Sequence, residues 1–410
     1  MSTQIIEAQA GNITEQMSFV AKSEGVSEDF IREKIARGRL VILNNNQRKN
    51  STPKAIGEGV GIKVASNISN SEPDEQADKI RIIEQTGADI LMDLSDDKDF
   101  DNTRKTILSS TKMPIGTTPI YQSAKETYNE YKDISNLSKE KIFSDIEKQC
   151  QDGVDFISVH CGLTKSLNEK IKENNLKITS KGGLILSCYI EKTKKENPLF
   201  EYFDELLDIA RTYDTTICFA GAFKLTGAFD ELNSAYMTEI LTIADLVDRA
   251  QKSGVQAMVE APEIIMINQI QTTIQTIKKV THFAPLYSIG PNVTNCSIGH
   301  SHIGAAIGGT IAGLNGVDLL LSVPSAKYLK VPNTKQIKES IIAAKIAAHS
   351  ADIVRGNKKA LELEEIMTIA KNNSDINAQK EFSFDKSVFT NSVFESQRTN
   401  CPICNEFCSR

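Results

Sequence analysis

The last ten residues of this 410-residue chain read CPICNEFCSR and place Cys401, Cys404 and Cys408 at Cys-x2-Cys-x3-Cys spacing, where no core exists to bury them. Three thiolates can hold three irons of a 4Fe-4S cluster and leave the fourth iron open to a ligand. In radical enzymes that use S-adenosylmethionine (AdoMet), that open iron takes the cofactor's amino and carboxylate groups. Electron transfer from the reduced cluster then splits a carbon–sulfur bond and gives a 5′-deoxyadenosyl radical. A structural zinc site needs a fourth ligand, and no further Cys or His stands nearby. The spacing alone leaves two readings open, a cluster or a tail with spare thiols. Other candidate groups are scattered. Glu260 closes the apolar run AMVEAP, where burying a carboxylate without a partner is costly. His160 closes FISVHC; both residue types change protonation near neutral pH when perturbed and suit proton transfer. In ITSKGG, Ser180, Lys181 and Gly182 combine an ammonium with exposed backbone N–H groups. Such a turn can cradle phosphate, although turns of this composition are common.

Elements must gather these groups. Short apolar runs recur at GIKVASN (61–67), DILMDLS (89–95), PIGTTPI (114–120), FISVHC (156–161) and LILSCY (184–189). They continue at TICFAG (216–221), QAMVEAP (256–262), LYSIG (286–290) and LLLSVP (319–324). Helical periodicity fills most intervals, as in FDELLDIARTYD and LTIADLVDRAQKSG. Strands alternating with helices imply parallel pairing with both faces covered. Nine candidate strands, with no Gly-x-Gly-x-x-Gly after the first, predict an α/β fold of the (β/α)8 TIM type with one run outside the barrel. Catalytic groups of such barrels project from the C-terminal strand ends. Asn67 ends the first run, Met92 and Asp93 lie near the end of the second, and Tyr121 follows the third. His160 closes the fourth, Glu260 the seventh, and Tyr287 lies in the eighth. A tyrosine in an apolar strand is more often core, so Tyr121 and Tyr287 carry less weight on their own.

The expected division is a helical N-terminal extension (1–58), the barrel (59–330), C-terminal helices (331–372) and a flexible arm carrying the cysteines (373–410). No apolar run spans a bilayer, and the N-terminus lacks a signal-peptide pattern, so a cytoplasmic protein with no membrane partner is expected. A net charge of −6 argues against nucleic acid. Eight cysteines in a reducing compartment predict no disulfides, and Cys150, Cys161, Cys188, Cys218 and Cys296 read as small buried hydrophobes.

Longer matches now combine. Ala36-Arg37-Gly38-Arg39, Asn67-Ile68-Ser69-Asn70-Ser71, Met92-Asp93-Leu94-Ser95, Pro114-Ile115-Gly116-Thr117 and Pro119-Ile120-Tyr121-Gln122 are among them. So are Ser180-Lys181-Gly182-Gly183, Lys345-Ile346-Ala347-Ala348-His349 and Phe407-Cys408-Ser409. On these stretches, from about Ile13 to the C-terminus, the chain resembles phosphomethylpyrimidine synthase of thiamine biosynthesis and the related 5-hydroxybenzimidazole synthases of anaerobic cobamide biosynthesis. The resemblance implies radical AdoMet chemistry on 5-aminoimidazole ribotide (AIR), a 4Fe-4S cluster, an electron donor, and a homodimer or a heteromer with a paralog. It places Asn67, Met92, Tyr121, His160, Ser180, Lys181, Gly182, Lys224, Glu260 and Tyr287 in the AIR site. It also makes His302 one of two histidines for an auxiliary zinc-like metal near AdoMet.

Departures from that family pattern guide the choice of product. Asp-Gly-Leu-Arg after the sixth candidate strand is Gly221-Ala222-Phe223-Lys224 here, and Lys181 also replaces an arginine. Glu-Gly-Pro-Gly-His after the seventh is Glu260-Ala261-Pro262-Glu263-Ile264, which loses one metal ligand and gains a carboxylate. The cysteine spacing is one residue shorter than the family's. A pocket altered at several such groups favours 5-hydroxybenzimidazole as the product, made alone or together with a paralogous subunit. The alternatives are phosphomethylpyrimidine synthase and a non-catalytic paralog that binds or regulates an active partner.

Overall fold

A computed structural model describes residues 2–69, 73–96, 99–223, 233–327 and 329–389. Among the described residues there are ten strands: β1 (Leu40–Leu43), β2 (Lys54–Gly57), β3 (Lys63–Ile68), β4 (Ile90–Asp93), β5 (Ile115–Thr117), β6 (Phe156–Val159), β7 (Thr216–Phe219), β8 (Ala257–Ala261), β9 (Leu286–Ser288) and β10 (Val317–Leu321). The last eight close into a parallel barrel in chain order, with β10 pairing back to β3. Eight of the nine apolar runs are these strands.

The ninth, LILSCY, is part of the helix Lys181–Thr193. Its period is helical: Leu186, Tyr189 and Ile190 are buried, while Leu184 is 51% exposed. Ser180 caps it, its Oγ accepting the Gly183 N–H at 2.9 Å. Removing this run from the strand count makes Glu260 and Tyr287 residues of the sixth and seventh barrel strands.

The N-terminal extension is only partly helical. Helices Gln4–Gln9, Glu15–Glu24 and Glu28–Ala36 are capped by Thr3, Thr14 and Ser27. They lead into an antiparallel hairpin of β1 and β2. The hairpin's apolar face, Val41, Leu43 and Ile56, packs against Ala65, Ile90, Phe156, Cys218, Met258 and Leu319 inside the barrel. The Ile42 N–H donates to Gln256 Oε1 at 2.8 Å, and the Asn45 N–H to Asp155 Oδ1 at 3.0 Å. Both acceptors lie just before a barrel strand, so the hairpin stoppers the N-terminal end. Arg48 completes the stopper, reaching the fully buried Asp155 at 2.9 Å and donating to the Met113 and Thr111 carbonyls. In the middle of the barrel, a Cβ on Gly116 would stand 2.0 Å from the Phe156 ring, so glycine is needed to admit that ring.

Beyond the barrel, Thr334–Val354 opens with an Asn333/Gln336 capping box, and Lys358–Asn372 and Ile376–Phe382 follow. Cys401, Cys404 and Cys408 lie outside the described residues, as does Lys224. No described helix is long and apolar enough to cross a membrane.

Candidate active site

A cavity of about 460 Å³ opens at the C-terminal ends of the barrel strands. Asn67, Met92, Tyr121, His160, Ser180, Lys181, Glu260 and Tyr287 all line it. The barrel register brings them together, setting Asn67 opposite Met92 on β3 and β4 and Glu260 opposite Tyr287 on β8 and β9. Tyr121 stands in the first turn of the helix Ile120–Tyr131, directly after β5.

His160 follows β6 and is 3% exposed. Its carbonyl accepts from Asn197 Nδ2 at 2.9 Å, and the same amide reaches the Leu163 carbonyl at 3.0 Å, which pins the strand end. A Cβ on Gly182 would lie 2.2 Å from the imidazole Cε1. Gly182 therefore lets His160 lie against the start of the Lys181–Thr193 helix. That helix end presents backbone N–H groups and a positive dipole.

Lys181 Nζ sits 4.5 Å from the centre of the Tyr121 ring and 3.0 Å from Asp96 Oδ2. Burial raises the Asp96 carboxyl, but the Lys181 and Lys125 ammoniums outweigh it and hold the group below its usual range. Burial pushes the Tyr287 phenol well above its ordinary value, and the nearby Glu260 charge adds to the shift. That phenol stays protonated at neutral pH and can donate a hydrogen bond.

Three residues were not foreseen. Lys79, in the helix Pro73–Thr86, lines the cavity with only 2% of its side chain exposed and meets Glu75 at 2.8 Å. Its phase with buried Gln76, Ile80 and Ile83 was readable in the sequence. Lys327, beyond β10, forms an ion pair with Glu263, beyond β8, and both line the cavity. No motif marks Lys327, because its pairing depends on two distant loops meeting. Glu239 is fully buried and accepts the Ala222 and Phe223 N–H groups at 2.7 and 3.1 Å, anchoring the backbone that leads to Lys224. A carboxylate in helical phase with Tyr236, Ile240 and Ile243 was its signal.

His302 is absent from this cavity's lining. It borders a separate space of about 10 Å³, lined largely by Ala305, Ala306, Leu320, Leu321, Val323 and Ala344. Burial lowers its pKa, Glu339 opposes the shift and His300 adds to it. Among the described residues no three His, Cys, Asp or Glu side chains converge in a metal-holding group.

A closed parallel barrel whose polar side chains meet at the C-terminal mouth defines a TIM-type barrel with an enzyme-like site. The family model described as "Radical SAM ThiC family" matches residues 3–410, so the chain belongs to that family of AdoMet-dependent iron–sulfur enzymes. It is 40% identical over 416 residues to the phosphomethylpyrimidine synthase of Caldanaerobacter subterraneus subsp. tengcongensis, covering 99% of this chain and 96% of that protein. It is 38% identical over 416 residues to the phosphomethylpyrimidine synthase of Methanocaldococcus jannaschii, covering 99% and 97%.

These likenesses overturn the expectation of 5-hydroxybenzimidazole as product. Two of the departures behind that expectation, Lys181 and Glu263, line the cavity. A few changed side chains do not outweigh a likeness that runs the length of the chain. The cobamide pathway loses its support with it.

Proposed function

We propose that this chain is a phosphomethylpyrimidine synthase of thiamine biosynthesis, converting AIR by radical AdoMet chemistry. One observation carries the reading: eight side chains singled out across more than two hundred residues of sequence line one cavity. Its volume of about 460 Å³ suits a ligand of nucleotide size. Cys401, Cys404 and Cys408 offer the three thiolates that suit a 4Fe-4S cluster with one open iron. Loaded with AdoMet and fed by an external electron donor, that group supplies the adenosyl radical that takes hydrogen from the ribose of AIR.

The chain's own residues do the rest. The N–H groups at the start of the Lys181–Thr193 helix, with the Lys181 ammonium, hold the AIR phosphate; Lys224 adds a second charge. Ser180 spends its hydroxyl on the cap and so fixes the geometry of that helix end. Glu260 and His160 move protons on the fragmenting sugar, and the Tyr287 phenol, kept protonated by burial and the nearby Glu260 charge, donates a hydrogen bond to the substrate. Asn67, and Tyr121 with its ring against Lys181, orient the ribotide.

Reductive AdoMet cleavage by the anaerobically reconstituted protein, measured with and without AIR, tests this reading. AIR-dependent production of methionine supports it. Cleavage that ignores AIR at saturating concentration refutes the substrate.

A further inference from the structure

Among the largest fully buried side chains of the described residues, Lys79 is the one that carries a charge. It sits on the core face of the helix Pro73–Thr86, in phase with buried Gln76, Ile80 and Ile83. A lysine on such a face ordinarily bends its ammonium out to water. This one lines the active-site cavity instead. The Cα–Cβ bonds of a helix tilt toward its N-terminus, and this helix begins shortly after β3, at the C-terminal mouth of the barrel. The side chain is therefore carried toward the mouth, whose apolar walls include Ile68, Val323, Pro332 and Ile337.

A buried ammonium is costly unless its donors are met. Glu75, one turn earlier on the same helix, meets Lys79 at 2.8 Å and is the one partner it has among the described residues. Glu75 is itself half exposed, whereas the Lys79 side chain is only 2% accessible. An ammonium carries three donors, so one carboxylate leaves donors over, and the cavity is the direction from which an acceptor can reach them. Charge and position then select the acceptor. Glu75 already balances the positive charge, which suits a neutral oxygen better than a second anion. The proposed phosphate end lies at the helix after β6, three strands round the barrel from β3. A ribotide with its phosphate there has its sugar and ring left for Lys79. The sugar fits best, because a hydroxyl can accept from the ammonium and donate to the side-chain amide oxygen of Asn67, which lines the same cavity from β3.

We infer that Lys79 is a further substrate-binding residue, its ammonium holding a ribose hydroxyl of AIR while Glu75 fixes the ammonium in place. The inference rests on the function proposed above. It separates Lys79 from a buried lysine of purely structural use. Replacing a buried ion pair by an apolar side chain of similar volume is often neutral or stabilising, so the fold tolerates losing this charge while the ligand does not.

Equilibrium dialysis on the cluster-loaded protein decides it, with AIR, AdoMet and two AIR analogues that each lack one ribose hydroxyl. Lys79→Met should weaken AIR binding by about tenfold or more, the scale of one hydrogen bond to a charged group, and leave AdoMet affinity and the melting temperature in place. In wild type, one of the two analogues should bind about tenfold more weakly than AIR. In Lys79→Met that analogue and AIR should bind alike, because the contact the hydroxyl made is already gone. Unchanged AIR affinity in Lys79→Met, with wild type binding AIR, sinks the inference alone. So does a lower melting temperature with AIR and AdoMet affinities falling together, the mark of a structural lysine. Wild type that holds both analogues as tightly as AIR overturns it without any variant. Wild type that does not bind AIR sinks the proposed function and the inference together.

Discussion

Lys181 is the residue on which the substrate assignment turns, because it stands at a helix N-terminus, against an aromatic ring and beside a single carboxylate. Lys181→Ala should weaken AIR binding by about 1.5–3 kcal/mol, the worth of a hydrogen bond to a charged group, and leave the unfolding temperature nearly unchanged because the side chain is half exposed. Isothermal titration beside a thermal melt checks both halves. Glu239→Gln should behave in the opposite way. An amide oxygen cannot serve the Ala222 and Phe223 N–H groups as two carboxylate oxygens do. One buried donor is then left poorly paired, at a cost of about 1–3 kcal/mol in a denaturant titration. The difference between these residues shows what was legible. Lys181 belonged to a local motif beside two glycines, whereas Glu239 and Lys327 act on segments 16 or more residues away. Spacing reveals the first kind of residue and tertiary contact the second.

Elements were legible where period and capping agreed. The barrel strands are short continuous apolar runs, as strands buried on both faces should be. The run LILSCY looks the same over six residues, and only the Ser180 cap and the exposure of Leu184 betray its helix. The hairpin β1–β2 was passed over because its strands have four residues each and lie inside an otherwise helical extension. How that extension is fastened yields a pH prediction. Asp214 accepts the Gln4 N–H at 3.2 Å, and burial pushes its carboxyl from 3.8 up to about 7. A carboxyl raised on folding contributes stability that is full below its unfolded pKa and is lost as pH rises through the folded one. Unfolding free energy should therefore fall between pH 4 and 7, by at most about 1.4 kcal/mol per pH unit from this group. Asp214→Asn should flatten that slope, since asparagine tolerates the left-handed φ of 50° at this position and its amide oxygen can still accept. An unchanged slope in denaturant titrations across that range would remove Asp214 as the cause.

At the scale of the whole molecule, the barrel separates stability from chemistry. The N-terminal end is closed by the hairpin and by the buried Arg48–Asp155 pair, and the ligand cavity lies at the other end. Arg48→Met strands a fully buried carboxylate and should cost about 3–5 kcal/mol of folding stability, read by urea denaturation, without altering any cavity-lining side chain. The general location of the cavity was legible because an eight-stranded barrel fixes which strand ends face it. The product was not, because it depends on how a few side chains hold a reacting sugar. The central claim is that product. The reconstituted chain alone is incubated anaerobically with AIR, AdoMet and a reductant, and the organic products are identified by mass. The account predicts phosphomethylpyrimidine with matching AdoMet consumption, both lost in Cys404→Ala; a different heterocycle, or no AdoMet turnover by the reconstituted protein, would contradict it.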